Sequence, residues 1–159
     1  MLCDSEVRIM GAYEALAVSY DRLTNDVDYE ATVAFYMDIL NRAGTYVHIM
    51  TPYLILDGEL ETALCFAAER GVDVQLILPG IPDKRIPYAL AKTHYARLTA
   101  AGIKIYEYTP GFIHAKSFVV DDTEAVVGTI NLDYRSLYHH FECATYLYNT
   151  DCIADIEAD

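Results

Sequence analysis

The chain has 159 residues, of which 53% are hydrophobic, and its formal net charge is −13. This length allows one domain with a substantial core, and the hydrophobic content excludes global disorder. The sequence has no run of about 18 apolar residues, which a membrane-spanning helix needs. The surplus of carboxylates disfavours partners that are polyanions, such as nucleic acid.

The charge is unevenly distributed along the chain. Residues 71–150 carry eight acidic and seven basic groups, and the basic groups cluster between Lys84 and Arg97. Such a cluster is either the solvated face of a helix or a local anion-binding surface. The first 16 residues lack the basic start and apolar block of a secretory signal, so we expect a soluble, cytoplasmic chain.

The first half of the chain reads as helices followed by a buried strand. Apolar spacing in residues 7–23 predicts a helix, and we treat residues 1–27 as a helical segment that has no assigned place in the fold. A second helix is expected after Asp28, whose carboxylate can cap it. The β-branched and aromatic residues 45–55 predict a buried strand that ends at Pro52, and Asp57 then caps a helix that ends at Gly71.

The second half of the chain first alternates between predicted strands and helices and then consists mainly of strands. Strands are predicted at 72–80 and 103–108, with a helix over 88–102 between them. Further strands are predicted at residues 114–120, 124–128 and 141–149. This order is typical of an α/β domain with a mixed, mostly parallel central sheet and helices on both faces.

The stretch HAKSFVVDDTEAVVGTIN, residues 114–131, concentrates the polar chemistry. Because side chains alternate along a strand, His114 and Lys116 should point to the same face as Phe118 and Val120. Asp121 should then lie on the opposite face or in the turn. We expect it to cap the hairpin turn with Asp122 through its own backbone, as a structural residue.

Small polar residues follow the second strand of this hairpin. Gly128 allows a close approach of the backbone, and Thr129 and Asn131 come directly after it. If the two strands pair, these groups end near His114. Lys116, Thr129 and Asn131 could then hold the oxygens of a phosphoryl group, while the imidazole attacks phosphorus or protonates the leaving oxygen, with no metal or cofactor required.

An imidazole in that position needs an acceptor for its second nitrogen. Glu142 lies in an apolar stretch, so it is either a buried partner of His114 or an exposed strand residue. The remaining histidines have no evident partners in the sequence and are predicted to be surface or packing residues: His48, His94, His139 and His140.

The pattern H-x-K-(x)4-D-(x)6-G-(S/T)-x-N in residues 114–131 resembles the phospholipase D superfamily at every defined position. The flanking stretches 51–80, 106–122 and 131–142 are similar to the C-terminal catalytic half of bacterial cardiolipin synthases. This similarity covers about residues 28–150. The resemblance implies a two-lobed α/β protein with one motif in each lobe and the active site between them.

The resemblance also implies functions for individual residues and no cofactor. In such enzymes one histidine becomes a phosphohistidine and the other acts as a general acid, and His114 corresponds to the general acid. Lys116 and Asn131 match the other catalytic positions, Thr129 occupies the Ser/Thr position, and Asp121 completes the motif. Glu142 fits the acidic residue that pairs with the histidine.

The reaction implied is transfer of a phosphatidyl group between two phosphatidylglycerol molecules. The chain holds one motif copy, so we expect residues 28–159 to form one lobe, truncated at its C-terminus and inactive alone. Its partner would be a missing N-terminal lobe or a second copy, and the full-length protein would act at the cytoplasmic face of the bacterial inner membrane. A homodimeric phosphodiesterase or nuclease, and a non-catalytic lobe that self-associates, are the alternatives.

Overall fold

A computed structural model describes residues 28–158 of the chain, and the helix predicted within residues 1–27 lies outside them. Five helices and eight strands follow one another within the described residues. In chain order they are α1 (Tyr29–Arg42), β1 (Tyr46–Met50), β2 (Leu54–Ile55), α2 (Gly58–Glu69), β3 (Asp73–Pro79), α3 (Arg85–Ala100), β4 (Lys104–Tyr108), β5 (Ser117–Val120), β6 (Glu124–Gly128), β7 (Leu132–Asp133), α4 (Tyr134–Tyr138), β8 (Ala144–Tyr148) and α5 (Cys152–Ala158).

Six of the strands form one sheet in the order β4-β3-β1-β5-β6-β8. β1 and β4 both pair with β3 in parallel, whereas the β1–β5, β5–β6 and β6–β8 pairs are antiparallel. Four strands, β4, β3, β1 and β6, therefore run in one direction and two in the other. The predicted mixed sheet, in which most strands share a direction, is confirmed.

Both faces of the sheet are covered by helices, as predicted. On one face Val47, Val74 and Leu76 are almost fully buried against apolar side chains of α1, α2 and α3. Burial of one such side chain stabilises the fold by about 1.5–3 kcal/mol. On the other face α5 places Ile153 against Val119 and Ala125.

The helix ends follow the local sequence. The carboxylate of Asp28 accepts a hydrogen bond from the Ala31 N–H at 2.9 Å, and that of Asp57 accepts one from the Leu60 N–H at 2.7 Å. Gly71, just after α2, has a φ of 95°, a left-handed value that glycine adopts without steric cost. Asp28, Asp57 and Gly71 thus delimit their helices as predicted.

The strand predicted at residues 114–120 begins only at Ser117. Its neighbour β1 pairs Met50 with Ser117, and the next residues of that chain segment are Thr51 and Pro52. Because proline has no N–H to donate, the ladder cannot continue past this point. His114 therefore lies just beyond the end of the sheet instead of within a strand.

The short parallel pair of β2 and β7 joins two distant segments at this end of the sheet. Leu54 pairs with Leu132, and the hydroxyl of buried Thr51 accepts a hydrogen bond from the Leu132 N–H at 3.2 Å. The segment containing Tyr53 is thereby fixed beside the one that contains Asn131. The sequence analysis did not predict this pairing.

Candidate active site

His114 is exposed, and aromatic rings hold its imidazole. The ring is stacked on Phe112 with 5.7 Å between centroids and meets Tyr53 edge-on at 6.0 Å. Neither ring nitrogen forms a hydrogen bond or ion pair with any residue in 28–158. The imidazole is thus oriented by packing, while its nitrogens remain free to exchange protons or to attack a ligand.

Lys116 lies next to this histidine along the backbone. Its ammonium donates a hydrogen bond to the carbonyl oxygen of His114 at 2.6 Å. Burial lowers the pKa of Lys116 below its usual value, although the carboxylates of Glu142, Asp133 and Asp83 act in the opposite direction. A partly desolvated ammonium beside a free imidazole is well placed to bind an anionic oxygen.

The residues after β6 reach the same end of the sheet. A Cβ atom on Gly128 would lie 2.2 Å from the Cys143 carbonyl oxygen, so only glycine allows β8 to approach so closely. The Thr129 hydroxyl accepts a hydrogen bond from the Cys143 N–H at 2.9 Å. The close approach predicted for Gly128 thus brings the backbone of β6 near enough for Thr129 to bond to Cys143, just before β8.

Asn131 is partly buried, and only one of the two polar atoms of its side chain has a hydrogen-bond partner among the described residues. Its side-chain nitrogen donates to the Ser136 hydroxyl at 3.1 Å, whereas its buried oxygen Oδ1 has no donor among the described residues. A buried amide oxygen without a donor is costly. This oxygen can therefore accept a hydrogen bond from a ligand that carries a hydroxyl or N–H group.

Glu142 does not form the predicted pair with His114 in this structure. Its carboxylate accepts a hydrogen bond from the Thr129 hydroxyl and lies 3.4 Å from the Nδ1 of His140. The reason is register: β8 begins only at Ala144, opposite Gly128, which places Glu142 alongside Thr129. The side chain is 13% exposed, so it is a partly buried carboxylate with hydrogen-bonding partners, and the exposed-strand alternative is wrong.

Asp121 lies at the other end of β5, away from these groups. Its carboxylate accepts hydrogen bonds from the N–H groups of Gly44, Thr45 and Tyr46 at 2.7–2.8 Å. Burial acts to raise the pKa of this carboxyl, but the three donors outweigh it and hold the pKa below its usual value. Asp121 lies in the turn, one of the two places expected for it, and its carboxylate bonds to the α1–β1 connection instead of to its own turn.

Asp121 and Asp122 form the hairpin turn itself, with φ values of 52° and 57°. Aspartate tolerates this left-handed region better than most residues do, and the Thr123 N–H closes the turn onto the Val120 carbonyl at 3.0 Å.

The second half of the basic stretch seen in the sequence is ion-paired. Lys92 lies 3.0 Å from Glu107, and Arg97 lies 3.1 Å from Glu61. The face of α3 that carries them is therefore a salt-bridged helix surface.

Three of the four histidines predicted to lack partners have a carboxylate neighbour. His48 contacts Glu157 at 2.5 Å and His94 contacts Glu61 at 3.3 Å, in addition to the His140–Glu142 pair. The partners of His48 and His94 come from distant parts of the chain, so local spacing could not reveal them.

A cleft of about 430 Å³ opens beside the imidazole, and sequence reasoning missed it. Its walls include Tyr53, Lys84, Asn131, Arg135, His140 and Glu142. The available signals were the basic residues near position 84 and the stretch after Asn131, which are brought together by the β2–β7 pairing and by the packing of α3 against β2. Residues 28–158 contain no cluster of three or more His, Cys, Asp or Glu side chains suited to a metal ion, and no helix among them could cross a bilayer.

Comparisons with known proteins identify the family. The model of a family described as cardiolipin synthase, phospholipase D-like domain, matches residues 36–159. An uncharacterized protein of Streptococcus mutans is 72% identical over 124 residues, which are 78% of this chain and 27% of that protein. Cardiolipin synthase 2 of Bacillus cereus is 39% identical over 134 residues, which are 84% of this chain and 26% of that protein.

The chain thus spans about a quarter of the length of these relatives. Among solved structures, the phospholipase D family member Nuc from Salmonella typhimurium has a TM-score of 0.65 at 21% identity, covering 79% of this chain and 80% of that one. This likeness shows a shared fold. With the family match and the cardiolipin synthase relatives, it leads to one conclusion: the chain belongs to the cardiolipin synthase family with a phospholipase D-like domain.

Proposed function

We propose that the chain supplies one half of a cardiolipin synthase active site. The reaction moves the phosphatidyl group of one phosphatidylglycerol onto a hydroxyl of another and releases glycerol. The observation that carries this proposal is the exposed imidazole of His114, whose nitrogens have no partner within residues 28–158 and which lies beside the Lys116 ammonium at an open end of the sheet.

The chemistry needs two imidazoles, and this motif contributes one. In the first step a histidine nitrogen attacks phosphorus, the bond from phosphorus to the glycerol oxygen breaks, and a second histidine protonates that oxygen. In the second step the latter histidine takes a proton from the acceptor hydroxyl, which attacks the phosphohistidine and frees the first imidazole. We assign His114 as the group that gives and takes the proton.

The other residues of the motif bind the phosphate or position the residues that bind it. Lys116 and Asn131 provide charge and an amide N–H for the non-bridging oxygens, with the Thr129 hydroxyl nearby. Glu142 positions Thr129 and tunes Lys116 through its charge. Asp121 supports the lobe from the far end of β5 and does not contact the reacting atoms.

The second imidazole would come from another lobe. That lobe is either a separate part of a longer protein, which acts on lipid at the cytoplasmic face of the bacterial inner membrane, or a second copy of this chain. Exposed aromatic side chains near the site offer a surface for it: Tyr134 and Phe141. The lobe alone is inactive in this proposal, because one imidazole cannot be both nucleophile and acid in the same step.

The test measures binding and turnover separately. Short-chain phosphatidylglycerol is titrated into the chain while the His114 imidazole is followed by NMR, and glycerol and cardiolipin are quantified by mass spectrometry. We expect a shift of the His114 resonances, loss of that shift in Lys116→Gln, and no cardiolipin while the chain is monomeric. His139→Ala is the matched control, since His139 is exposed but lies away from Lys116. Absence of binding, or cardiolipin formed by a monomer, contradicts the proposal.

The second candidate function is a phosphodiesterase or nuclease formed by two copies of this chain. Nuc favours it, because that chain is similar in length and shares the fold. The net charge of −13 and the ion-paired surface of α3 count against a nucleic acid substrate. Cleavage of single-stranded DNA by a dimer that ignores phosphatidylglycerol would establish this alternative.

A further inference from the structure

Most of the cations in residues 28–158 have an acceptor for their hydrogen bonds. Six of the nine lysines and arginines in residues 28–158 have a carboxylate or carbonyl partner: Arg42, Arg70, Lys92, Arg97, Lys104 and Lys116. Lys84, Arg85 and Arg135 have no such partner within this part of the chain. Since carboxylates are in excess, an unpaired cation is the exception here.

Two of these three cations line the cleft beside the imidazole, and the third does not. Lys84 comes from the loop before α3, and Arg135 comes from α4. The Lys84 ammonium lies 5.6 Å from the centre of the Tyr53 ring, which favours its position on the wall of the cleft. The Tyr53 hydroxyl donates to Asp83 at 2.5 Å, and this bond together with burial raises the pKa of Tyr53 to about 12.

The carboxylates that line the same cleft are engaged elsewhere. Asp133 accepts a hydrogen bond from the Ser136 N–H at 2.7 Å, as the cap of α4. Glu142 accepts one from the Thr129 hydroxyl and faces His140. Neither forms an ion pair with Lys84 or Arg135, so both cations remain available to an anionic ligand.

The cleft is continuous with the reaction centre. Tyr53 lines it and lies 6.0 Å from the His114 ring, and Asn131 lines it with a buried Oδ1 that has no donor. A ligand that extends from His114 into the cleft can therefore meet an acceptor without a donor and two cations without an ion pair among the described residues.

We propose that Lys84 and Arg135 form a second phosphate site, which holds the phosphate of the acceptor phosphatidylglycerol. This inference rests on the proposed function. The reaction joins two phosphates through one glycerol, so the complete site must accommodate both at once. Lys116 serves the phosphate that is transferred, Asn131 Oδ1 accepts a hydrogen bond from the acceptor glycerol, and the two cleft cations bind the acceptor's phosphate.

The experiment compares two water-soluble probes on the whole 159-residue chain by calorimetric titration. Glycerol 3-phosphate occupies one phosphate site, whereas glycerol 1,3-bisphosphate can occupy both. We expect the bisphosphate to bind about tenfold more tightly, which corresponds to one added charge-assisted contact. Lys84→Gln combined with Arg135→Gln should remove this advantage and leave the affinity for glycerol 3-phosphate unchanged.

Arg85→Gln is the matched control, because it removes an equally exposed, unpaired cation that does not line the cleft. It should alter neither affinity. Both cleft side chains are exposed, so the variants should fold, and thermal melting followed by circular dichroism verifies this. The single variants and the charge-conserving Arg135→Lys provide a graded series that does not depend on the double variant.

If the double variant still binds the bisphosphate more tightly than glycerol 3-phosphate, the proposal of a second phosphate site is wrong. An equal loss in Arg85→Gln also overturns it, since the effect is then one of overall charge. Lys116→Gln separates the two proposals: if it leaves glycerol 3-phosphate binding intact, the proposed function fails whatever Lys84 and Arg135 do. A 5′-phosphorylated thymidine dinucleotide that binds in place of the bisphosphate, with the same dependence on Lys84 and Arg135, overturns the lipid assignment.

Discussion

The residues at the two ends of strand β5 belong to one sequence motif. The two ends differ in how many of their polar groups have hydrogen-bond or ion-pair partners. At the turn end the Asp121 carboxylate accepts three backbone N–H groups, and the Tyr46 hydroxyl donates to Asp122 at 2.8 Å. At the open end the His114 nitrogens, the Asn131 oxygen and the Lys84 ammonium lack such partners within residues 28–158.

Because of this difference, the residues at the turn end mainly stabilise the fold, and those at the open end are available for binding and reaction. Groups that are fully hydrogen-bonded hold the fold and have little capacity left for a ligand. Groups left unsatisfied beside a cleft lower the stability of the free protein and gain partners when a ligand arrives. Substitutions at the turn end should therefore change the free energy of unfolding, and those at the open end should change binding and rate.

The largest effect is expected at His114. In an assembly that transfers the phosphatidyl group, His114→Ala should lower the rate by about 10²- to 10⁴-fold, because the proton on the leaving oxygen is no longer delivered. The melting temperature should hardly change, since the ring is exposed and has no hydrogen bond to lose. A large loss of stability in this variant would break the comparison between the two ends.

Asp121→Ala should have the opposite profile. It leaves three backbone N–H groups without their acceptor, and we expect the free energy of unfolding to fall by about 1–3 kcal/mol, measured by urea denaturation. Phosphate binding by the folded variant should be retained. Normal stability with lost binding would show that Asp121 acts at the site and that the two ends are not separate.

The same carboxyl gives the stability a pH dependence. Its pKa in the folded chain is below its usual value, so its stabilising effect is present above the unfolded pKa of about 3.9. That contribution should be lost as the pH falls through the folded pKa. In Asp121→Asn the acid limb of the unfolding curve should be flatter than in the parent chain, and an unchanged limb would contradict the assignment.

Tyr46→Phe should give a smaller effect of the same kind. It removes the hydroxyl that donates to Asp122 and accepts from the Asp122 N–H at 3.0 Å. These groups are partly open to water, so a loss of about 0.5–1.5 kcal/mol is expected in the unfolding free energy. Tyr148→Phe, an exposed tyrosine on the edge strand β8, is a suitable control and should change little.

The smallest change should come from Glu142→Gln at the open end. The Glu142 charge acts to raise the pKa of Lys116, so its removal should lower that pKa further. Binding of glycerol 3-phosphate should then decline at a lower alkaline pH than in the parent chain, which a titration series across pH measures. An alkaline limb that stays in place would show that Glu142 does not tune Lys116.

Local sequence was sufficient for the features that depend on near neighbours. Asp28 and Asp57 were correctly placed as helix caps, because a cap bonds to backbone three residues ahead. Asp121 was expected on the opposite face or in the turn, and it lies in the turn, since consecutive aspartates between two strands favour one. The requirement for glycine at 128 also followed from its place before two polar residues.

Other expectations depended on long-range register and were wrong in detail. The strand was predicted to include His114, but its neighbouring segment reaches Pro52 and the ladder stops at Ser117. Glu142 was predicted to pair with His114, whereas the alignment of β6 with β8 places it beside Thr129. Neither register can be derived from residues that lie close together in the chain.

The sequence by itself determined the fold class, the family resemblance and the residues from which a phosphate-binding site could be made. Periodicity, caps and motif spacing are local properties, and they survive without knowledge of the rest of the chain. Only the tertiary structure decided which polar groups are satisfied and which are left open. That division arises because β2 pairs with β7 and α3 packs against β2, which brings Lys84, Asn131 and Arg135 to one cleft although they are separated by up to 51 positions in the chain.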